Sequence, residues 1–297
     1  MRSVVLLLSL AALAAGTATA DAATHDARAA RDGAAWLAAA VAPGGDGQAA
    51  DAIVALRAAG RLSAADAARR AQALRAGVGR YALTAGATGK VILGLVAAGS
   101  GNPRCAGSVD LQRKLARFGH AGRYGFTVFD QTLGMLAMRA LHAGPPASTV
   151  RVLLAARGAG GWNFNLSTSG GRPDDVSSTA MAILAARAAG VSRTDGRLRA
   201  GLRWMLAQRT ATGGFALGRR DRVEANSTAL AIEAERAMGR SDARAVAVLG
   251  SLQRGDGAFQ YTRDDAGSRV LASNDAVVAL AGKGLPVTPR NRPVGGC

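Results

Sequence analysis

The sequence contains few of the residues that build metal and redox centres. Among its 297 residues there are three histidines and two cysteines, and aromatic residues make up only 4%. The histidines, His25, His120 and His142, are far apart in the sequence, and neither cysteine lies beside them. Because protein zinc sites are built from several such ligands, we expect no metal site and no required cofactor.

Lysine is also scarce, although the chain is strongly basic. Lys+Arg number 37 against 20 Asp+Glu, which gives a formal net charge of +17, and the only lysines are Lys90, Lys114 and Lys283. The arginines are scattered along predicted helices and form no clustered stripe, so we expect no nucleic-acid binding. We expect weak attraction to anionic envelope polymers instead. The candidate partners are an envelope component or a transporter.

Only one apolar stretch resembles a targeting or membrane segment. Arg2 precedes the apolar run Val4–Ala15, and the small residues Ala18-Thr19-Ala20 follow it. This pattern predicts a signal peptide over residues 1–20 and a secreted or extracytoplasmic protein. No later run is long enough to span a bilayer, so we expect no integral span after cleavage. In an exported chain, Cys105 and Cys297 are predicted to form a disulfide; the alternatives are a free thiol or a dimer bridge.

An Ala/Leu/Val-rich segment ending in glycine occurs six times. The copies are Gln48–Gly60, Gly86–Gly99, Asp130–Gly144, Ser177–Gly190, Asn226–Gly239 and Asn274–Gly284. Each has small polar residues at its start and apolar residues on all sides, which predicts a buried helix with a glycine C-cap. Amphipathic helices are predicted between them, at Ala29–Ala39, Ala64–Ala76, Val109–Phe118, Thr149–Arg157, Arg197–Gln208 and Arg244–Gln253. The chain is therefore expected to be all-α, with six helix pairs.

Six helix pairs could form an open solenoid or a closed barrel. Open solenoids need polar terminal repeats, whereas the last segment here is as apolar as the middle ones. The sequence therefore favours a closed (α/α)6 toroid over residues 31–285. We expect residues 21–30 to be an N-terminal linker and residues 286–297 to be a tail containing Pro and Gly.

Three glycine-aromatic elements precede the last apolar helices. They include Gly160-Gly161-Trp162-Asn163-Phe164, Gly213-Gly214-Phe215 and Gly257-Ala258-Phe259. Followed by a helix rich in Ser, Thr and Ala, this element resembles the squalene-cyclase-type repeat of the terpenoid cyclase and protein prenyltransferase superfamily of α/α toroids. The resemblance covers about residues 30–285 and implies the toroid fold. The rings of Phe215 and Phe259 are expected to fill gaps between helix pairs.

The catalytic motifs of that superfamily are incomplete in this chain. Resemblance to class II cyclases implies an Asp-x-Asp-Asp-Thr acid motif, but Asp175-Val176-Ser177-Ser178-Thr179 has serines at both catalytic positions. Asp174 or Asp175 would have to act as the acid instead. Gly171-Arg172-Pro173 is similar to a prenyltransferase element, but the zinc ligands of that family are missing. We therefore expect no catalysis.

An exported branch of the superfamily, the cobalamin-carrier toroids, is similar in being secreted, disulfide-linked and non-catalytic. Polar and aromatic residues are expected at one mouth of the toroid, where small-molecule sites often combine apolar and polar groups. The candidate ligand-binding residues are Asp130, Gln131, Trp162, Phe164, Asp174, Asp175, Ser177, Glu224, Asn226, Tyr261, Asn274 and Asp275.

The leading hypothesis is an exported protein that binds a bulky amphiphilic molecule, corrinoid-like or isoprenoid-like, at this mouth. One alternative is a cyclase-like enzyme with a degenerate acid motif, using Asp174 or Asp175. Another is an interaction scaffold whose barrel is filled by its own side chains. Inward-pointing Met135, Met138, Met181 and Leu230 would favour the scaffold, whereas alanine-lined helices would leave room for a ligand.

Overall fold

The computed structural model describes residues 26–167, 174–217 and 222–289, and most of these residues are helical. The helices are α1 (26–40), α2 (Gly47–Ala58), α3 (Ala64–Tyr81), α4 (Ala85–Ala98), α5 (Leu111–Phe118), α6 (Val128–Ala140), α7 (Ala147–Ala155), α8 (Val176–Ala188), α9 (Gly196–Ala207), α10 (Ala225–Ala237), α11 (Ala243–Gly250) and α12 (Arg269–Leu280). The only strands in these ranges are β1 (Cys105–Ala106) and β2 (Val109–Asp110), which pair antiparallel. The protein is all-α, as predicted.

Several predicted boundaries differ from the structure, and three of the differences have a clear physical reason. Residues 26–30 of the predicted linker belong to α1, because Ala29 and Ala30 are buried in the core. Helix α5 begins at Leu111, after Val109 has paired in the β-ribbon and Asp110 has capped the helix. Helix α12 begins at Arg269 with Ser268 as its N-cap, five residues before the predicted Asn274.

The even-numbered helices run parallel to one another. Near their starts, Gly86 at the beginning of α4 donates its backbone N–H to Asp130 of α6 at 3.1 Å. At their ends, the Arg57 guanidinium of α2 donates to the carbonyl oxygens of Ala97 and Ala98 of α4, at 2.6 and 2.8 Å. Starts therefore lie beside starts and ends beside ends. We call these two ends the N-terminal face and the C-terminal face.

Each even-numbered helix packs against the next one, and α12 also packs against α2. The odd-numbered helices α3, α5, α7, α9 and α11 contact the even-numbered helices that precede or follow them. Helix α1 approaches the last repeat, where a Cβ atom added to Gly33 would lie 2.7 Å from Val277 and 2.9 Å from Phe259. One continuous hydrophobic core joins these helices.

Glycines end most of the even-numbered helices in the left-handed conformation that the sequence predicts. Gly60, Gly99, Gly190 and Gly239 have φ angles of 67, 62, 90 and 80°. In the last repeat this role falls to Gly282, with φ of 68°, because α12 ends at Leu280. The predicted closing residue Gly284 lies two positions further along the chain.

Several predictions concern residues outside the described ranges. They are the signal peptide at 1–20, the start of the linker at 21–25, the Gly171-Arg172-Pro173 element, most of the 286–297 tail and the Cys297 partner of the predicted disulfide. Within the described ranges, no helix combines the length and the apolar character needed to cross a bilayer.

Candidate functional site

Buried hydroxyl groups in the last three even-numbered helices hold the glycine-aromatic elements. The backbone N–H groups of Trp162, Phe215 and Phe259 donate to the hydroxyls of Thr179, Thr228 and Ser273, at 2.9, 3.0 and 2.9 Å respectively. All three rings are fully buried. These hydroxyls therefore fix the aromatic loops to the helices, and they define equivalent positions in α8, α10 and α12.

Several predicted ligand-binding residues have structural partners instead. Gln131 is fully buried, accepts from the Tyr124 N–H at 2.8 Å and donates to two backbone carbonyls. The indole of Trp162 donates to the Leu153 carbonyl at 2.7 Å. Asp130 accepts from the Thr127 hydroxyl at 2.8 Å as well as from Gly86. These groups hold the fold together and have little capacity left for a ligand.

Asp174 and Asp175, the candidate acids of the cyclase alternative, also stabilise local structure. Asp174 accepts the N–H groups of Gly160 and Gly161 at 3.0 and 2.7 Å, and Asp175 caps α8 by accepting from Ser178 at 2.6 Å. Burial raises the pKa of Asp175 against the opposing effect of those hydrogen bonds. A raised pKa makes this carboxyl a weaker acid, whereas alkene protonation requires an unusually strong one.

The residues two positions after these hydroxyl-bearing residues, together with the equivalent residues of α2, α4 and α6, form one layer across the even-numbered helices. Starting from α2 and ending with α12, its members are Asp51, Lys90, Leu133, Met181, Leu230 and Asp275. The three charged residues belong to the neighbouring helices α12, α2 and α4, and the three apolar residues belong to α6, α8 and α10. We call this set the mixed layer. One half of it is therefore polar and the other apolar.

The polar half of the mixed layer contains two bonded pairs whose charges influence one another. Lys90 forms an ion pair with Asp51, and the two side chains keep 28% and 24% of their surface accessible. Asn226, one turn closer to the N-terminal face, donates to Asp275 at 2.6 Å. Burial lowers the pKa of Lys90, but Asp51 outweighs this effect and holds the pKa above its usual value, so the lysine is cationic.

The carboxyl of Asp275 has a raised pKa. Burial raises its pKa to about 6, the hydrogen bond from Asn226 opposes that rise, and the negative charge of Asp51 adds to it. The carboxyl thus changes charge near neutral pH beside a fixed cation. The cluster can present both hydrogen-bond donors and acceptors to a polar group.

The apolar half of the mixed layer is densely packed. Leu133 and Leu230 are each 8% exposed, and Met181 is 2% exposed. Met135 and Met138 of α6 are buried as well. The accessible surface in this layer is therefore on the polar side, and the space beside α6, α8 and α10 is filled by the protein itself.

Nearer the N-terminal face, further polar groups bond to one another. The Ser177 and Ser227 hydroxyls are 3.2 Å apart, and Glu224 accepts from the Leu217 N–H and the Ser227 hydroxyl at 2.8 and 3.1 Å. Burial and a hydrogen bond with Glu224 raise the pKa of Tyr261 to about 12. Asn274, placed at the mouth by the sequence, is buried between helices instead.

Exposed apolar side chains are concentrated at the N-terminal face. Among the described residues, the large apolar side chains with most exposure are Leu83, Val109, Phe126, Phe164, Leu217 and Leu271. Val109 precedes α5, and the other five lie near the starts of even-numbered helices. Leu83 and Phe126 lie just before α4 and α6, and Leu271 lies in the first turn of α12. The Phe164 carbonyl accepts from the N–H of Val128, the first residue of α6, at 2.9 Å, and the Leu217 N–H donates to Glu224, the N-cap residue of α10. We call these five residues the apolar collar. Phe126 is 89% exposed, and Phe164 packs on Phe129 with ring centroids 6.1 Å apart. Exposed apolar groups gathered at one place mark interaction sites.

Asp51 and Lys90, the charged pair at the centre of the cluster, are not among the residues predicted from the sequence. The available signal is a charged residue in a mostly apolar helical segment: Lys90 is the only charged residue of its segment, and the Asp51 segment has one other, Arg57 near its end. Within the described ranges, no group of three His, Cys, Asp or Glu residues is arranged to hold a metal ion. No protein-family model and no curated protein matches this chain.

Proposed function

We propose that the chain forms a closed (α/α)6 toroid that binds an amphiphilic small molecule at its N-terminal face, without catalysis. The contact of α12 with α2 supports closure, as does the approach of α1 to the last repeat. The parallel even-numbered helices would line the interior, and the odd-numbered helices would surround them.

The observation that carries the binding function is the apolar collar around a polar cluster. An amphiphile could place its apolar body against the collar, where burial of apolar surface stabilises the complex. Its polar groups could then reach the Lys90–Asp51 pair, Asn226 and Asp275. Because Met181 and Leu230 fill the opposite side, the ligand would sit at the mouth and not pass through the centre. Corrinoid-like and isoprenoid-like molecules both have the required apolar body and polar groups.

The interaction scaffold is the second candidate, because the packing of Met181 and Leu230 favours it. It predicts that no small molecule binds at the N-terminal face. The accessible surface of Asp51 and Lys90 argues for the binding function, since a filled interior has no need of a charged pair. Ion pairs withdrawn from water gain little stability over apolar residues of similar size.

The test is binding of two probes, hydroxocobalamin and farnesol, to the full chain, measured by tryptophan fluorescence and by native mass spectrometry. The double variant Asp51→Asn/Lys90→Met removes both charges together, and Phe126→Ser/Leu217→Ser removes part of the collar. We expect each double variant to weaken binding about tenfold or more, equivalent to about 1.4 kcal/mol. Val109→Ser is the matched control, because it removes an exposed apolar group away from the N-terminal face.

Three outcomes would contradict the proposal. If neither probe binds and native mass spectrometry of protein from its own host finds no bound molecule, the scaffold is favoured. If binding survives both double variants, the N-terminal face is not the site. Conversion of squalene or an isoprenoid diphosphate to a cyclic product would favour the enzyme. Asp174→Ala and Asp175→Ala are unsuitable tests, because these side chains hold a loop and cap α8.

A further inference from the structure

A separate cavity of about 680 Å³ lies at the C-terminal face, opposite the collar. Its walls are the last turns of α6, α8 and α10 together with residues 282–288, which follow α12. The titratable side chains that line it are Arg139, His142, Arg187, Glu233, Arg236 and Lys283. A volume of this size is within the range of small-molecule sites, about 300–1,000 Å³.

Positive charge dominates the cavity. The Arg187 guanidinium donates to the Ala237 carbonyl at 3.1 Å and also to the Val191 carbonyl, and Arg236 donates to the Ala279 carbonyl. Carbonyl oxygens satisfy these donors without neutralising the charge. Burial lowers the pKa of Arg236, and Glu233 and Asp26 only partly oppose that effect. An anion in the cavity would add negative charge beside these guanidinium groups.

Two further cations of the cavity are less engaged in holding the fold. Arg139 ends α6 on an exposed position and forms no hydrogen bond or ion pair with the residues that the structure describes. Lys283 follows Gly282, where α12 has ended, and is also exposed. Both side chains have their full donor capacity available to a ligand.

Glu233 is the one carboxyl in the cavity wall. It is 2% exposed, accepts a backbone hydrogen bond from Leu285, and its Oε2 atom has no partner among the described residues. Burial raises its pKa well above the usual value, and the charge of Asp275 acts in the same direction. Burial thus favours the uncharged form of Glu233, which weakens its ability to offset the positive charge of the arginines.

An apolar layer separates the cavity from the mixed layer. This layer consists of the residues that follow each mixed-layer residue by three positions, toward the C-terminal face. They are all buried: Val54, Leu93, Leu136, Leu184, Glu233 and Val278. Five of these six side chains are aliphatic. A ligand in the cavity would therefore not contact Lys90 or Asp51, and the two faces can be tested independently.

We propose that the C-terminal face holds a second binding site, which takes a small organic anion bearing phosphate or carboxylate groups. Arg139, Arg187, Arg236 and Lys283 bind the anionic groups, and guanidinium groups suit this role because they donate pairs of parallel hydrogen bonds to planar or tetrahedral oxyanions. Glu233 contributes a buried carboxyl to the wall. The site does not depend on the function proposed for the N-terminal face.

The test is isothermal titration of the full chain with two probes, inorganic pyrophosphate and citrate, at low salt. Preferential binding of one probe distinguishes a phosphate ligand from a carboxylate ligand. The variant Arg139→Gln/Lys283→Gln removes two charges that stabilise no described contact, and we expect it to weaken binding about tenfold or more. The control Arg151→Gln/Arg199→Gln removes two exposed charges from α7 and α9, outside the cavity, and should change affinity less than about twofold.

A steric variant tests the cavity without changing its charge. A Cβ atom at Gly284 would lie 3.8 Å from Glu233 Oε2 and 3.9 Å from Leu184, which is ordinary contact distance, so a larger side chain can extend into the cavity. We expect Gly284→Phe to abolish anion binding while farnesol and hydroxocobalamin binding stays unchanged. The proposal is overturned if neither anion binds at about 5 mM, or if the Arg151/Arg199 control loses as much affinity as the cavity variant.

Discussion

The side-chain amide of Gln253 donates a hydrogen bond of 2.8 Å to the backbone carbonyl of Ala29, which lies 224 residues earlier in the chain. The same amide also donates to the Gly257 carbonyl at 2.9 Å. One side chain of the last repeat thus joins its own loop to helix α1. Repeat proteins usually connect only neighbouring repeats, so a bond between the first and last helix pairs is typical of a closed arrangement.

Replacement of Gln253 by alanine should release α1. Both hydrogen bonds would be lost, and each contributes about 1 kcal/mol, so we expect the free energy of unfolding to fall by about 2 kcal/mol. Denaturant unfolding measures the loss, and hydrogen exchange should show faster exchange in α1. Gln112→Ala is the control, because the Gln112 side chain makes no described hydrogen bond. Equal stability of the two variants would contradict a role for Gln253 in closure.

The helices could be predicted from the sequence because their signals are local and repeated. Alanine-rich segments that are apolar on all sides predict the even-numbered helices, and amphipathic segments predict the odd-numbered ones. The start of α12 was missed, because Ser268 caps it after a loop that has no apolar periodicity. Asn274 and Asp275 were consequently expected at the mouth, whereas both lie inside the helix.

The candidate site was only partly predictable. Asn226 and Asp275 are among the residues predicted from the sequence, but Asp51 and Lys90 lie 224 and 185 residues before Asp275 and come near it only through helix packing. Conversely, Gln131 and Asp174 are typical ligand-binding residue types, yet their partners are backbone groups of nearby loops. The sequence does not reveal which polar side chains are already hydrogen-bonded to other groups of the folded protein and which remain available to a ligand.

Thr228 offers a test of the hydroxyl that fixes each aromatic loop. Its Oγ1 accepts from the Phe215 N–H at 3.0 Å and donates to the Phe215 carbonyl at 3.2 Å, in a buried position. Thr228→Val keeps the shape but leaves a buried N–H unpaired, so we expect a loss of about 2 kcal/mol in unfolding free energy. Thr228→Ser should retain most of that stability. A valine variant as stable as the serine variant would argue against this role.

Stability should fall as pH rises from about 4.5 to 7, and Glu235 is expected to contribute strongly. Burial and the neighbouring Asp242 raise the pKa of this 1% exposed carboxyl to about 7, although Arg209 and Arg240 oppose the rise. The unfolded chain releases the Glu235 proton at lower pH than the folded chain does. Raising the pH therefore favours unfolding until the folded carboxyl also ionises. We expect the free energy of unfolding to fall by about 2 kcal/mol over this range.

The variant Glu235→Gln has no proton to lose at this position. Its unfolding free energy should therefore depend less on pH between about 4.5 and 7 than that of the parent protein, as measured by denaturant titration at several pH values. The remaining dependence would come from Asp275, whose pKa is raised to about 6, and from Glu233. Asp264→Asn changes an exposed carboxyl and serves as control. An unchanged pH profile in the Gln variant would contradict the assignment.

Asn274 should be a position where an apolar substitution stabilises the fold. The residue is 2% exposed, and neither its Nδ2 nor its Oδ1 atom has a hydrogen-bond partner among the described residues. A buried polar group without a partner costs about 1–3 kcal/mol, and leucine has a similar volume without that cost. We therefore expect Asn274→Leu to raise the free energy of unfolding by about 1–2 kcal/mol in denaturant titrations.

Asn163 provides the matched control for that substitution. It is 3% exposed and also has an unpaired Oδ1, but its Nδ2 donates to the Ser167 carbonyl at 2.8 Å. Asn163→Leu removes this hydrogen bond, so it should destabilise the protein by about 1 kcal/mol. Opposite signs for the two leucine variants would show that the missing partners, and not burial alone, determine the effect. A loss of stability in both would mean that the Asn274 amide is satisfied in solution.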